Sequence, residues 1–189
     1  LWDGTKLYVA SHSGYLGLGS NQNRLLRYSY GRATHAWTLD AGFPVTIPGA
    51  GTESMTLAKD STGMLWIAFT LGDEVMVANS LGTDTKWSKA YTLPVRAGTS
   101  VEADDIAGVV ALPGKIGVFW SNQLTHDDYF AVHTDGTTPN APSSWTQEIA
   151  GEGGKLADDH FNMKLAADGR LFVAMKTSYN VSGAVLVGA

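Results

Sequence analysis

The chain has 189 residues, a net charge of −5 from 13 Lys and Arg against 18 Asp and Glu, 44% apolar residues and no cysteine. That length supports one sizeable core or two small ones, and no window approaches the ~18 consecutive apolar residues of a membrane span. The basic residues are scattered singly, which argues against a nucleic-acid footprint, and the lack of cysteine excludes disulfides, thiolate chemistry and Cys-type zinc sites.

The chain opens at "LWDG" with neither an initiator Met nor a basic-then-apolar leader, and is read as a processed chain or a fragment. From there the apolar runs come in order as "KLYVAS", "LLRYSY", "MLWIAF", "EVMVANS", "KIGVFWS", "YFAVHT", "RLFVAMK" and "AVLVG". Each is short, β-branched or aromatic and bounded by Gly, Asp, Asn or Ser, which predicts strands. The fold class is all-β.

The runs repeat. A turn glycine precedes an aliphatic strand opener at Leu7, Leu65, Ile116 and Leu171, at separations of 58, 51 and 55 residues. A second apolar run follows each opener, and in three units a tryptophan then leads a further segment, at Trp37, Trp87 and Trp145. A period of about 50 residues holding four short antiparallel strands predicts a β-propeller blade. The divisions are 1–42 (incomplete, its inner strand reduced to Leu1 and Trp2), 43–95, 96–150 and 151–189 (incomplete). Two whole blades flanked by two partial ones suggest a piece of a larger propeller of about six to eight blades. Its open sheet edges would be paired by a partner chain or by the rest of the propeller.

Ten residues back from the turn glycines Gly63, Gly114 and Gly169 stand Glu53, Asp104 and Asp159, and the next column is Ser54, Asp105 and His160, with Asp158 alongside. Inner strands line a propeller's channel, so a repeated acid at one register predicts an arc of carboxylates around one mouth. Like charges held close need a cation, a raised pKa or intervening water. Three readings stand side by side. In the first, the residues cap strand starts and bond the neighbouring backbone. In the second, they bind a polar ligand or a cation, with Glu53, Asp104 and Asp159 as calcium ligands, since Ca²⁺ takes six to eight oxygens. In the third, His160 works with Asp159 or Asp105 as general acid or base on a sugar. Tyr179 in "TSYNVSG" and Tyr15 in "SGYLGLG" are further candidates for ligand contact. The tip "THDDYF" with His126, Asp127 and Asp128 is read as a solvated hairpin, with metal binding as its alternative. The repeated tryptophans are read as packing between blades, with sugar stacking as theirs.

The outer hairpins carry a worn form of a known motif. "SLGTDTKW", Ser80 to Trp87, keeps the Ser, the span and the terminal Trp of the pattern Ser-x-Asp-x-Gly-x-Thr-Trp, with Gly82 and Asp84 in exchanged places; "HTDGTTPNAPSSW" keeps an Asp-Gly turn and its Trp. In this the chain resembles the sialidase-like, BNR-type (Asp-box) β-propellers of exported bacterial proteins. The resemblance implies the fold and an extracellular or cell-surface location, with carbohydrate as a frequent ligand. Sialidase activity does not carry over, because that chemistry needs an arginine triad. None of Arg24, Arg27, Arg32, Arg96 and Arg170 stands at an inner-strand start.

The functional expectation is a secreted module that recognises a polar carbohydrate at one mouth of the channel, through Glu53, Ser54, Asp104, Asp105, Asp158, Asp159, His160 and Tyr179. The alternatives are a polysaccharide lyase or glycoside hydrolase, and a structural or protein-binding propeller.

Overall fold

A computed structural model describes residues 1–12, 22–153 and 156–177, together with the backbone of residues 187 and 188. Tyr15 and Tyr179 lie outside the described residues. The chain is all-β, with one short 3₁₀ turn at Pro142–Ser144 among the described residues.

The strands form four antiparallel sheets in chain order. The first holds β1 (Lys6–Ser11), β2 (Asn23–Gly31), β3 (Ala36–Leu39) and β4 (Val45–Ile47), with β3 and β4 pairing successive stretches of β2. It therefore extends to Ile47, past residue 42, where the sequence placed the limit of the first unit. The second sheet holds β5 (Thr56–Lys59), β6 (Leu65–Leu71), β7 (Glu74–Asn79) and β8 (Tyr91–Thr92). The third runs β9 (Ala107–Leu112), β10 (Lys115–Asn122), β11 (Asp127–Thr134) and β12 (Trp145–Gly151). In the fourth, β13 (Phe161–Leu165), β14 (Leu171–Met175) and β15 (Val187–Gly188) are described.

In the first sheet Leu1 and Trp2 pair with β1 across the Gly4 turn. Tyr8 N–H donates to the Leu1 carbonyl at 2.8 Å, and Trp2 bridges Leu7. The turns that close the first hairpin of each sheet owe their shape to Gly4, Gly63, Gly114 and Gly169. Their φ values of 95°, 92°, 70° and 88° are ones that L side chains adopt only under strain.

Strand alternation sorts the side chains onto two faces. In each of the later sheets the opener and every second residue after it face the preceding sheet. Leu65, Ile67 and Phe69 pack with Tyr8 and Leu25 of the first sheet. Ile116, Val118 and Trp120 pack with Trp66, Ala68, Val75 and Val77 of the second. Leu171, Val173 and Met175 pack with Phe119 and Phe130 of the third. Trp66 and Trp120 are both fully buried. Aspartates in the outer loops reinforce the seams: Asp84 accepts from Tyr8 Oη at 2.9 Å and Arg27 Nη1 at 2.7 Å, and Asp135 accepts from Ser61 N at 3.0 Å.

One seam is tight enough to test. Gly98 lies at φ 74°, and a Cβ there would come within 2.7 Å of the Tyr129 ring. That ring stacks on Trp120 at 5.3 Å, and Trp120 Nε1 donates to the Gly98 carbonyl at 2.6 Å. Gly98→Ala combines backbone strain with overpacking and is expected to lower stability by about 2 kcal/mol, measured by denaturant unfolding.

Candidate functional site

In the second, third and fourth sheets the first strand begins, and the second strand ends, at the same edge of the sheet. There the repeat brings together the residues singled out from sequence, with one correction of register. In the third sheet four residues, 112–115, separate the facing pair Ala111 and Ile116, whereas five, 60–64 and 166–170, do so in the second and fourth. Counting back from Gly114 therefore overshoots by one. The backbone agrees: Ser121 N–H donates to the Ile106 carbonyl at 3.2 Å, and at the matching place Lys176 N–H donates to His160 at 2.9 Å. The acidic column is thus Glu53, Asp105 and Asp159, and the second is Ser54, Ile106 and His160.

The members of these columns differ sharply in environment. Asp105 is 0% exposed. It accepts from Glu102 N at 2.8 Å, Ser121 Oγ at 3.1 Å and Gln123 N at 3.0 Å, while its carbonyl takes Thr70 Oγ1 at 2.5 Å. Burial pushes its carboxyl pKa up, against those donors. A carboxylate so enclosed ties two loops together and offers no oxygen to a ligand, which corrects its reading as a catalytic or ligand-binding residue. Asp104 is exposed and accepts from Gln123 Nε2 at 3.2 Å. Glu53 and Ser54 are half-buried, and Glu53 Oε2 and Ser54 Oγ lack hydrogen-bond partners.

The fourth sheet carries the most reactive-looking group. His160, its side chain 70% exposed, has Nδ1 2.5 Å from Asp159 Oδ1. Lys176 Nζ lies 2.8 Å from Asp158 Oδ1 and 3.0 Å from Asp159 Oδ1. The hydrogen bond with Asp158, then those from His160 and Lys176, hold the Asp159 carboxyl well below the usual carboxylate range, while burial opposes them. Asp158 and Asp159 in turn raise the Lys176 pKa. An imidazole tied at Nδ1 and exposed beyond it can donate or accept a hydrogen bond, or carry a proton, at its far nitrogen.

The calcium reading of Glu53, Asp104 and Asp159 is not supported by their placement. Among the described residues, the metal-capable side chains that converge within 4.8 Å are instead Asp158, Asp159 and His160, and Lys176 already supplies a cation to both carboxylates.

Two residues escaped the sequence reading. Lys176 stands where Thr70 and Ser121 stand in the other sheets, so the same count that finds Asp159 finds it. Asp128, read as part of a solvated tip, is the second residue of β11 and only 1% exposed, with Oδ2 unpartnered. Burial, then the charges of Asp105 and Asp127, push its pKa up to about 7.

No family model and no curated protein matches the chain. Among solved structures it is similar to the crystal structure of an α-L-arabinofuranosidase from Lactobacillus brevis. The identity is 13% and the TM-score 0.51, with 99% of this chain and 69% of that chain covered. At that identity the likeness is one of fold. It extends over the whole all-β arrangement and carries nothing specific to sialidase-like proteins. No helix among the described residues is long and apolar enough to cross a membrane.

Proposed function

We propose that this chain is part of a β-propeller of about six to eight blades that recognises a neutral, polyhydroxylated carbohydrate at the edge where the inner strands begin. The observation that carries the reading is the exposed His160, tied to the half-buried Asp159 beside Lys176, in register with Glu53 and Ser54, whose buried oxygens lack partners. Carboxylate, imidazole and hydroxyl groups in an arc match the donors and acceptors of a sugar's hydroxyls. The net charge of −5 disfavours a polyanionic ligand. The fold-level likeness to an arabinofuranosidase makes arabinofuranosyl oligosaccharides the first probes. A polymeric carbohydrate ligand also fits an extracellular or cell-surface protein.

A second reading, a glycoside hydrolase, draws on the same Asp159–His160 pair and on the activity named for the similar structure. Calorimetry with an arabino-oligosaccharide, run beside an assay for released sugar, separates the two. Binding without turnover, weakened on the order of tenfold by His160→Ala, supports recognition. Turnover lost in His160→Ala supports the enzyme. Binding that both His160→Ala and Asp159→Asn leave unchanged removes the site from either reading.

A further inference from the structure

The first sheet has a face that its counterparts do not leave open. Leu7 and Val9 of β1 point away from the second sheet, as do Tyr30, Trp37 and Leu39 on β2 and β3, and Trp2 joins them through its bridge to Leu7. Trp2 is 51% exposed and Trp37 48%, with their rings 5.8 Å apart edge to face, and Val9, Tyr30 and Leu39 are also exposed.

The repeat identifies this face. Leu7 stands in the register of Leu65, Ile116 and Leu171, all buried against the sheet before them. Leu39, reached from Leu7 through Tyr28, stands in the register of Trp87, which packs against the cluster holding Tyr8 and Leu25 of the first sheet, and of Trp145, which meets Trp66 of the second at 6.0 Å; Trp37 lies two residues further out on the same face. Three inter-sheet contacts are thus built the same way, and the same residue positions recur on the first sheet without an opposing surface among the described residues.

We propose that this face docks a further four-stranded antiparallel sheet of the same repeat, one presenting a face of small aliphatic residues like the Ala58, Ala68, Val75 and Val77 surface of the second sheet. A head-to-tail second copy is a poor occupant, because the far face of the fourth sheet presents Asn162 and Lys164 to solvent. A sugar-stacking platform is also a poor fit, since Trp2 and Trp37 lie at 84° and share no plane. The inference rests on the repeat reading given under the proposed function, but not on carbohydrate recognition.

The register supplies the test. Trp2 faces Leu7 as Ala111 faces Ile116, so Leu1 corresponds to Val110. A copy of residues 48–109 fused ahead of Leu1 therefore adds one sheet to the full chain in phase. The extended protein is expected to melt roughly 5 °C higher and to shield the Trp2 and Trp37 indoles, read by NMR with a soluble paramagnetic agent, while the Leu65, Ile67 and Phe69 face of the added copy takes over as the open one. Val9→Lys should abolish these gains in the extended protein, yet leave the melting temperature of the unextended chain unchanged. Unaltered solvent exposure of the Trp2 and Trp37 indoles on extension would overturn the proposal. So would a dimer of the unextended chain that Val9→Lys dissolves, which makes a second copy the occupant, or retention on insoluble polysaccharide lost in Trp37→Ala, which makes the face a sugar platform. Calorimetry at the opposite, acidic edge is read separately, so failure of carbohydrate recognition leaves this result interpretable.

Discussion

Asp128→Asn is expected to raise the melting temperature at pH 8 by roughly 10 °C and to leave it unchanged at pH 4. The Asp128 carboxyl is buried with Oδ2 unpartnered, and the backbone of Gly151 lies against it. Burial and the charges of Asp105 and Asp127 place its folded pKa at about 7, whereas the unfolded chain has the ordinary carboxylate value of about 3.9. A folded pKa above the unfolded one means that the native state holds the proton more tightly. The stabilisation is complete below about pH 4 and is lost as pH rises through 7. Three pKa units correspond to about 4 kcal/mol, and about 2–4 °C per kcal/mol for a chain of this size gives the expected shift. The amide cannot ionise, so the variant should escape the loss. Thermal melts of both proteins from pH 4 to pH 8 check this, and parallel curves would show that Asp128 is not held protonated.

Asp105→Ala is expected to cost about 3 kcal/mol, while Asp104→Ala changes stability by less than about 0.5 kcal/mol. Removing the Asp105 carboxylate strands the donors of Glu102 N, Ser121 Oγ and Gln123 N, all within 3.1 Å of its oxygens. Asp104 gives up one exposed contact with Gln123. The adjacent pair thus separates a fold-holding acid from a surface one, and urea unfolding of the two variants reads the difference directly. Equal losses would return Asp104 to the structural column.

The sheets and their order were legible because strand length, turn glycines and the recurring Trp repeat with the chain, and the buried face of every sheet follows from two-residue alternation. Register at the acidic edge was less legible. The Pro113–Gly114 hairpin spans one residue fewer than its counterparts, and a count from glycine cannot see hairpin length. That shift exchanged Asp104 for Asp105. Burial was hidden for a similar reason. "HDDY" has the composition of a loop tip, but pairing of Ser121 with Asp128 draws the second aspartate into the sheet. The last acidic cluster was found as residues but not as a network, because Lys176 lies beyond a whole hairpin from Asp158 and Asp159 and only folding brings it to them.

The most direct test of the central claim is amide chemical-shift mapping of the chain during titration with an arabino-oligosaccharide. Recognition at the inner-strand starts predicts saturable shifts at Thr52 to Ser54 and at Asp158 to His160 that disappear in His160→Ala. Shifts confined to the opposite side of the molecule, for example the groove of about 540 Å³ between Arg96 and Trp145, or no saturable shifts with any neutral oligosaccharide, would contradict it.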